Sequence, residues 1–226
     1  MPVSSGTPFP ALVFDFDGTL IDSAPDITDA LNDTLTAYGR DRLTVEQVRG
    51  MVGDGAASLL REAFQATGAP IEEPALPEAL KRYGDTYFER SADPSCLYPG
   101  VADTLEALAG AGVKLGLCTN KPERITRKVL EMVGLAPLFG AVAGGDTLPV
   151  RKPDGRPVSF VMQSLGAERA AMVGDGVNDV LSARAAGIPV VLVSFGYPRG
   201  DVHGLGADLV IDRFAELPAA LVRLAP

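Results

Sequence analysis

Five short apolar runs, each stopping abruptly at a polar residue, constrain the fold of this chain more than any other feature of its sequence. Predominantly apolar runs of this length are typical of strands buried on both faces of a parallel sheet. From residue 97 onward, stretches with helical spacing separate them, and this alternation predicts an α/β fold with helices on both faces of the sheet. The runs are Ala11–Phe14, Val113–Cys118, Ala170–Val173, Ile188–Val193 and Leu209–Ile211.

The interval between the first two runs departs from this alternation, because it has no strand-like run and has four stretches with helical patterns. We expect residues 23–96 to form a small, all-helical cap domain, inserted after strand one and placed over the carboxyl edge of the sheet. Residues 1–22 and 97–226 would then form a discontinuous Rossmann-like core. The four helices are expected at residues 24–38, 45–51, 55–66 and 77–89.

Charge and composition exclude several classes of function. The formal net charge of −9 at pH 7 argues against nucleic acids and anionic membranes as partners. No stretch approaches about 18 consecutive apolar residues, and the N-terminus lacks a basic segment followed by an apolar run, so we expect a soluble, cytoplasmic protein. It would be a monomer or a homodimer. Two cysteines and one histidine, His203, are too few for a disulfide framework or for a metal site built from these residues.

Polar residues suited to metal and phosphate chemistry stand where the predicted strands end. In an open parallel sheet, ligands bind outside the carboxyl ends of the strands, so these side chains are expected to converge on one edge. Oxygen ligands without thiolate or imidazole select Mg²⁺, while an ammonium, a hydroxyl and a helix N-terminus after Thr119 favour a phosphate group. The residues are Asp15, Asp17, Thr119, Asn120, Lys152, Asp175 and Asp179.

The order of these residues resembles the motif set of the haloacid dehalogenase superfamily. The stretch Asp15–Leu20, read as Asp-Phe-Asp-Gly-Thr-Leu after an apolar strand, resembles its first motif. Thr119, Lys152-Pro153, and Gly174-Asp175 followed by Asp179 resemble its second, third and fourth motifs, in the right order. A helical insertion after the first strand is similar to the superfamily members whose cap occupies that position. The resemblance implies the fold that the strand pattern predicts.

The resemblance also implies a reaction, phosphoryl transfer through a covalent aspartyl-phosphate. Asp15 would attack phosphorus in line as the nucleophile. Asp17 would protonate the leaving alkoxide and would then remove a proton from the water that hydrolyses the intermediate. Mg²⁺ would be held by the Asp15 carboxylate, the Asp17 backbone carbonyl and Asp175, and would lower the repulsion between two anions.

The remaining motif residues would, by the same resemblance, bind the phosphoryl group. Thr119 and Lys152 would hold its oxygens, and the backbone amides of Gly18 and Asn120 would help. Asp179 would orient Lys152 or a metal-bound water rather than bind the metal directly.

The choice within the superfamily depends on an acid at the position of Asp17, which the dehalogenases proper and the P-type ATPases lack. Its presence favours hydrolysis of a phosphomonoester. The segments Asp17–Asp26 and Val52–Ala56 are most similar to those of bacterial phosphoglycolate phosphatases, which implies 2-phosphoglycolate as the substrate. A phosphatase for a sugar phosphate or for N-acetylmuramate 6-phosphate, a phosphomutase of the same fold, and a binding protein without activity are the alternatives.

Selection of a small carboxylate-bearing substrate requires cations or N–H donors, which we expect the cap to supply. Gly53 and Gly55 form a turn that could offer backbone amides at a helix start, or could serve only as a helix entry. Arg61 could reach a substrate carboxylate, or could lie on a solvated helix face. The basic residues of the cap are Arg40, Arg42, Arg49, Arg61, Lys81, Arg82 and Arg90.

Overall fold

The computed structural model describes residues 8–89 and 96–224, and this part of the chain contains one six-stranded parallel sheet. Its strands are β1 (Ala11–Phe14), β2 (Lys114–Cys118), β3 (Phe139–Ala143), β4 (Ala170–Gly174), β5 (Val190–Val193) and β6 (Leu209–Ile211). The strand order is β3-β2-β1-β4-β5-β6, and every pairing is parallel. The predicted Rossmann-like core is thereby confirmed, and β1 lies at its centre, between β2 and β4.

Strand β3 is absent from the five apolar runs, and the reason is its place at the edge of the sheet. It pairs only with β2, and its first three residues are half-buried or exposed. An edge strand needs no continuous apolar run, because water can reach part of its surface, so its sequence, Phe-Gly-Ala-Val-Ala, gives a weaker signal.

Four α-helices lie within residues 24–89, and five more follow among residues 96–224. No helix among the described residues is both long enough and apolar enough to cross a bilayer. The helices are α1 (Ala24–Ala37), α2 (Val45–Arg49), α3 (Ala56–Ala66), α4 (Leu76–Glu89), α5 (Val101–Gly110), α6 (Glu123–Met132), α7 (Arg156–Ser164), α8 (Val177–Ala186) and α9 (Leu217–Arg223).

Alternate side chains of the central strand enter two different hydrophobic clusters, one on each face of the sheet. Leu12 and Phe14 belong to a cluster that includes side chains of α5, α6 and α9. Ala11 and Val13 belong to a second cluster, formed with α7 and α8. The period of two follows from strand geometry, and burial on both faces explains why the central runs are predominantly apolar.

Helices α1 to α4 form the helical insertion. They pack on one another on the face of the sheet that carries the first hydrophobic cluster. Helix α1 contacts α2, α3 and α4, and α4 also contacts α6 of the core. Leu31 and Leu60 of the insertion belong to the same apolar cluster as Phe14 of the sheet. The insertion has the position and helical content expected of the cap, and its status as a separate domain over 23–96 stays a prediction. Residues 1–7, 90–95 and 225–226 of the expected ranges, among them Arg90, lie outside the described residues.

Candidate active site

The turn after β1 carries the first two carboxylates. The Asp15 amide donates to the Val173 carbonyl at 2.8 Å, which continues the pairing of β1 with β4 by one residue. Beyond it the chain folds back, and the Gly18 amide donates to the Ile21 carbonyl at 2.9 Å. Gly18 has φ +80°, and a Cβ there would lie 2.4 Å from Asp175 Oδ2, so the turn requires glycine. The expected role of the Gly18 amide in binding phosphate does not fit, because the turn already uses that donor.

Three carboxylates converge at the carboxyl ends of β1 and β4. One oxygen of each of Asp15, Asp175 and Asp179 lies within 4.8 Å of the others. Asp175 Oδ2 accepts from the Tyr197 amide at 2.7 Å, and Asp175 Oδ1 accepts from the Thr19 hydroxyl at 3.1 Å. Burial raises the pKa of Asp15 to about 6, although the Lys152 ammonium opposes it, and burial likewise raises the pKa of Asp175 well above its usual value.

Lys152 is the cation placed among these carboxylates. Its Nζ lies 2.6 Å from Asp179 Oδ1 and 2.8 Å from Asp15 Oδ1. Burial alone would lower the pKa of Lys152, but the two carboxylates together raise it above its ordinary value. The second oxygen of Asp179 accepts from the amides of Asp175 and Gly176, each at 3.1 Å. Asp179 therefore holds Lys152 while it caps the start of α8, a geometry that matches the orienting role expected for it.

The donor set fits a hard divalent cation such as Mg²⁺. Asp15 Oδ1 is buried and forms an ion pair with Lys152. No group among the described residues donates a hydrogen bond of good geometry to this oxygen. Three carboxylates share one ammonium, so a divalent cation would balance the local charge. Oxygen ligands without thiolate or imidazole are those that Mg²⁺ prefers.

Asp17 has different surroundings from Asp15. Its Oδ1 accepts from the Ser23 hydroxyl at 2.6 Å and from Lys121 Nζ at 2.8 Å. Lys121 also donates to the Tyr87 hydroxyl, and its Nζ lies 4.2 Å from the centroid of the Tyr87 ring. Lys121 is not among the residues predicted for the site, although it directly follows the Thr-Asn pair after β2. The two carboxylates are two residues apart, yet only Asp15 belongs to the acidic cluster.

A cavity of ≈ 150 Å³ lies between the strand ends and the helical insertion. It brings together most of the predicted site residues, with Thr119 and Asn120 on its wall beside the carboxylates. The core contributes Asp15, Asp17, Thr119, Asn120, Lys121, Pro122, Asp175, Gly176, Val177, Asn178, Asp179, Tyr197, Arg199 and Leu205 to its wall, and the insertion contributes Ile27, Val52, Gly53, Asp54, Gly55, Ala56, Leu59, Tyr83 and Tyr87.

The structure does not bring the predicted cap cations to this cavity. Arg61 projects from α3 to Glu73, with Nε 3.0 Å from Glu73 Oε1, and about half of its side chain is exposed. None of the other described basic residues of the insertion lines the cavity. The basic residues on its wall, Lys121 and Arg199, both belong to the core. The cap supplies no cation to the wall among the described residues, and a contact of Arg61 or of the Gly53–Gly55 turn with the substrate stays a prediction.

The turn at Gly53 and Gly55 joins the insertion to the core at the mouth of the cavity. The Asn120 side-chain amide donates to the Gly53 carbonyl at 2.9 Å and to the Lys152 carbonyl at 3.0 Å. Gly55 caps α3 with φ +83°, and a Cβ there would lie 3.3 Å from the Asn120 carbonyl. Arg199 reaches across to Asp54 at 3.1 Å. Both glycines lie on the cavity wall.

Comparison with known proteins gives a consistent family assignment. A model of the haloacid dehalogenase-like hydrolases matches residues 9–187. Phosphoglycolate phosphatases from Caulobacter vibrioides and Rhodospirillum rubrum are 46% and 45% identical to this chain, over 94% and 92% of its length and 91% and 88% of theirs. A crystal structure described as a predicted phosphoglycolate phosphatase from Haemophilus somnus has a TM-score of 0.85 and 29% identity, covering 94% of this chain and 98% of that one.

The family match covers both halves of the candidate site. Residues 9–187 include the turn after β1, the whole helical insertion and the ends of β2 and β4. The relatives align over nearly the full length of the chain. The expectation of an enzyme of this kind is confirmed, and the chain belongs to the haloacid dehalogenase-like hydrolases.

Proposed function

We propose that this hydrolase is a Mg²⁺-dependent phosphatase that converts 2-phosphoglycolate to glycolate and phosphate through an aspartyl-phosphate on Asp15. The observation that carries the proposal is the contrast between two carboxylates at one cavity. Asp15 lies in the acidic cluster beside Lys152, whereas Asp17 lies outside that cluster, beside Ser23 and Lys121. With Mg²⁺ beside it, Asp15 would stay ionised as the nucleophile, and Asp17, whose carboxylate lies outside the acidic cluster, would be the group that carries the proton. The relatives named phosphoglycolate phosphatase support the choice of substrate.

In the first half of the reaction, an Asp15 carboxylate oxygen forms a bond to phosphorus while the bond from phosphorus to the leaving oxygen breaks. Asp17, acting as an acid, gives a proton to that oxygen, and glycolate leaves. In the second half, Asp17 removes a proton from a water molecule that attacks the phosphorus. The bond to Asp15 breaks, phosphate is released, and both carboxylates return to their starting states.

The other residues hold the phosphoryl group and the metal in this scheme. Thr119 and Lys152 bind phosphoryl oxygens, and Asp179 keeps Lys152 in position through the 2.6 Å contact. Asp15, Asp175 and the backbone carbonyl of Asp17 are the ligands we assign to Mg²⁺. When bound, the ion reduces repulsion between the carboxylate and the phosphate dianion.

The identity of the leaving group can be tested directly, because a two-carbon acid and a hexose differ in size and charge. The substrate assignment is tested by kcat/KM, measured with Mg²⁺ across a panel of phosphorylated metabolites.

We expect the highest kcat/KM in that panel for 2-phosphoglycolate, with free phosphate as the product. A preference for hexose phosphates or for N-acetylmuramate 6-phosphate would contradict the substrate but not the chemistry. Recovery of an isomeric sugar phosphate, without free phosphate, would instead identify a phosphomutase.

Replacement of Asp17 by asparagine tests the proton donor. General acid catalysis contributes about 10²–10⁴ in rate, so kcat for 2-phosphoglycolate should fall by that factor. p-Nitrophenolate leaves without a proton, so the first turnover of p-nitrophenyl phosphate should stay fast, as a burst in a stopped-flow experiment. Equal losses of the first-turnover rate for both esters would show that Asp17 is not the acid.

Binding of Mg²⁺ should weaken as the pH falls, because protons compete for the same carboxylates. The pKa of Asp15 is about 6 and that of Asp175 is also raised, so both acids take up protons well above the usual range of aspartate. From pH 7.5 to pH 5 we expect the affinity to fall by about tenfold or more, since one pH unit below a pKa costs about tenfold. Isothermal titration calorimetry in two buffers of different ionisation enthalpy measures both the affinity and the protons released. An affinity that is unchanged between the two pH values would refute the assignment of these ligands.

A further inference from the structure

The cations in and beside the cavity differ in the number of carboxylates that lie within ion-pair distance of them. Lys152 has two carboxylates, Asp15 at 2.8 Å and Asp179 at 2.6 Å. Arg199 also has two, Asp54 at 3.1 Å and Glu62 at 3.3 Å, and 41% of its side chain is exposed to water.

Lys121, the third cation, has one carboxylate within ion-pair distance among the described residues, Asp17 at 2.8 Å. Only 3% of its side chain is exposed, so water does little to solvate its charge. Of the two described basic residues on the cavity wall, this buried ammonium with a single carboxylate partner is the one more able to accept a further anion.

The hydrogen bonds of Lys121 leave room for such an anion. An ammonium has three N–H donors. Asp17 and the Tyr87 hydroxyl accept two of them, and Lys121 itself lies on the cavity wall. The third donor is therefore available to a ligand in the cavity.

The position of Lys121 places that donor beside the leaving group. Asp17 must come within hydrogen-bond distance of the leaving oxygen to protonate it, and Lys121 Nζ is 2.8 Å from Asp17. In 2-phosphoglycolate, a single methylene joins that oxygen to the carboxylate. The apolar side chains of Ile27 and Leu59 face the same cavity, and a less polar wall strengthens an interaction between opposite charges.

We propose that Lys121 binds the carboxylate of the leaving group and thereby selects phosphomonoesters of small 2-hydroxy acids. This inference rests on the proposed function and deepens it by naming the residue that distinguishes the substrate class. The recognising cation comes from the end of β2 and not from the insertion. The insertion contributes Tyr87, which holds the ammonium in place.

The test compares two esters with leaving groups of the same length, 2-phosphoglycolate and ethyl phosphate, which lacks the carboxylate. In Lys121→Met, the ratio of kcat/KM for 2-phosphoglycolate to that for ethyl phosphate should fall by about 10²-fold, since loss of one partner of a buried charge pair has effects of this size. Both esters depend on Asp17 in the same way. Any effect of the substitution through Asp17, or through the fraction of folded enzyme, therefore cancels in the ratio.

Two further variants serve as controls. Arg199→Met removes the other cation on the cavity wall and should change the ratio by less than about threefold, because its charge is already compensated. Lys121→Arg keeps the charge and should retain most of the preference for 2-phosphoglycolate. If Lys121→Met does not fold, kcat/KM of the wild-type enzyme for three esters still tests the inference. The wild-type enzyme must favour 2-phosphoglycolate over both ethyl phosphate and phosphoethanolamine, and equal kcat/KM for the three would overturn the inference.

The failure of this inference is distinct from that of the proposed function. A wild-type enzyme that prefers another class of phosphate ester, such as a hexose phosphate, contradicts the proposed substrate. A wild-type enzyme that prefers 2-phosphoglycolate, combined with an unchanged ratio in Lys121→Met, contradicts only the role of Lys121.

Discussion

Replacing Asp15 by asparagine is expected to lower kcat for 2-phosphoglycolate by at least about 10³. The amide has nearly the shape of the carboxylate but is not a nucleophile. The contacts of Thr119 and Lys152 with the phosphoryl group would remain, so substrate should still bind. The measurement is phosphate release at saturating substrate and Mg²⁺.

The fold should survive this substitution, because burial already disfavours the charged form of Asp15 and raises its pKa to about 6. Urea unfolding of Asp15→Asn should therefore show a stability equal to or above that of the wild type. Asp85→Asn, a change at a half-exposed carboxylate of α4, provides a matched control that should retain full activity. Near-wild-type turnover by Asp15→Asn would contradict the covalent mechanism.

Replacing Lys152 by methionine should cost both activity and stability. The methionine fills similar space but leaves Asp15 and Asp179 without their ammonium, and loss of one partner of a buried ion pair costs about 3–5 kcal/mol. We expect the free energy of unfolding at pH 8, measured with urea in the absence of Mg²⁺, to fall by about 3 kcal/mol or more. Phosphatase activity should fall by at least about 10² because a phosphoryl contact is lost.

The stability deficit of Lys152→Met should shrink as the pH falls. Without the ammonium, the pKa values of the neighbouring carboxylates rise further, so the folded state binds more protons than the unfolded state. Stability is then lost as the pH rises through the folded pKa values and is recovered toward pH 5. Lys81→Met, at an exposed ion pair of α4, should leave the unfolding midpoint nearly unchanged. A deficit that is equal at pH 5 and pH 8 would indicate a packing defect instead of unpaired charge.

The central strands could be predicted from sequence because burial on both faces demands a continuous apolar run. Strands β1, β4 and β5 are fully buried and satisfy this condition. Edge strand β3 does not, and nothing in its composition separates it from a loop. The convergence of Asp15, Thr119 and Asp175 followed from a single rule, since parallel strands end at the same edge of their sheet.

The side-chain partners in the site could not be read from the same pattern, because they depend on the rotation of helices and turns in three dimensions. The rotation of α3 about its own axis points Arg61 toward Glu73. The turn after β1 closes on itself and uses the Gly18 amide. Lys121 reaches Asp17 and Tyr87, which are far from it in the chain, so no local spacing indicates the contact.

A covalent intermediate on Asp15 can be trapped by acid quenching. Asp17→Asn should form the aspartyl-phosphate from an activated ester but hydrolyse it slowly, because the base for the second step is missing. After incubation with radiolabelled p-nitrophenyl phosphate and Mg²⁺ for milliseconds to seconds, we expect label on the quenched protein. Peptide mapping should place that label on Asp15, and Asp15→Asn should carry none. Release of p-nitrophenolate and labelled phosphate at equal rates, with no label on the protein at any time, would rule out the covalent mechanism.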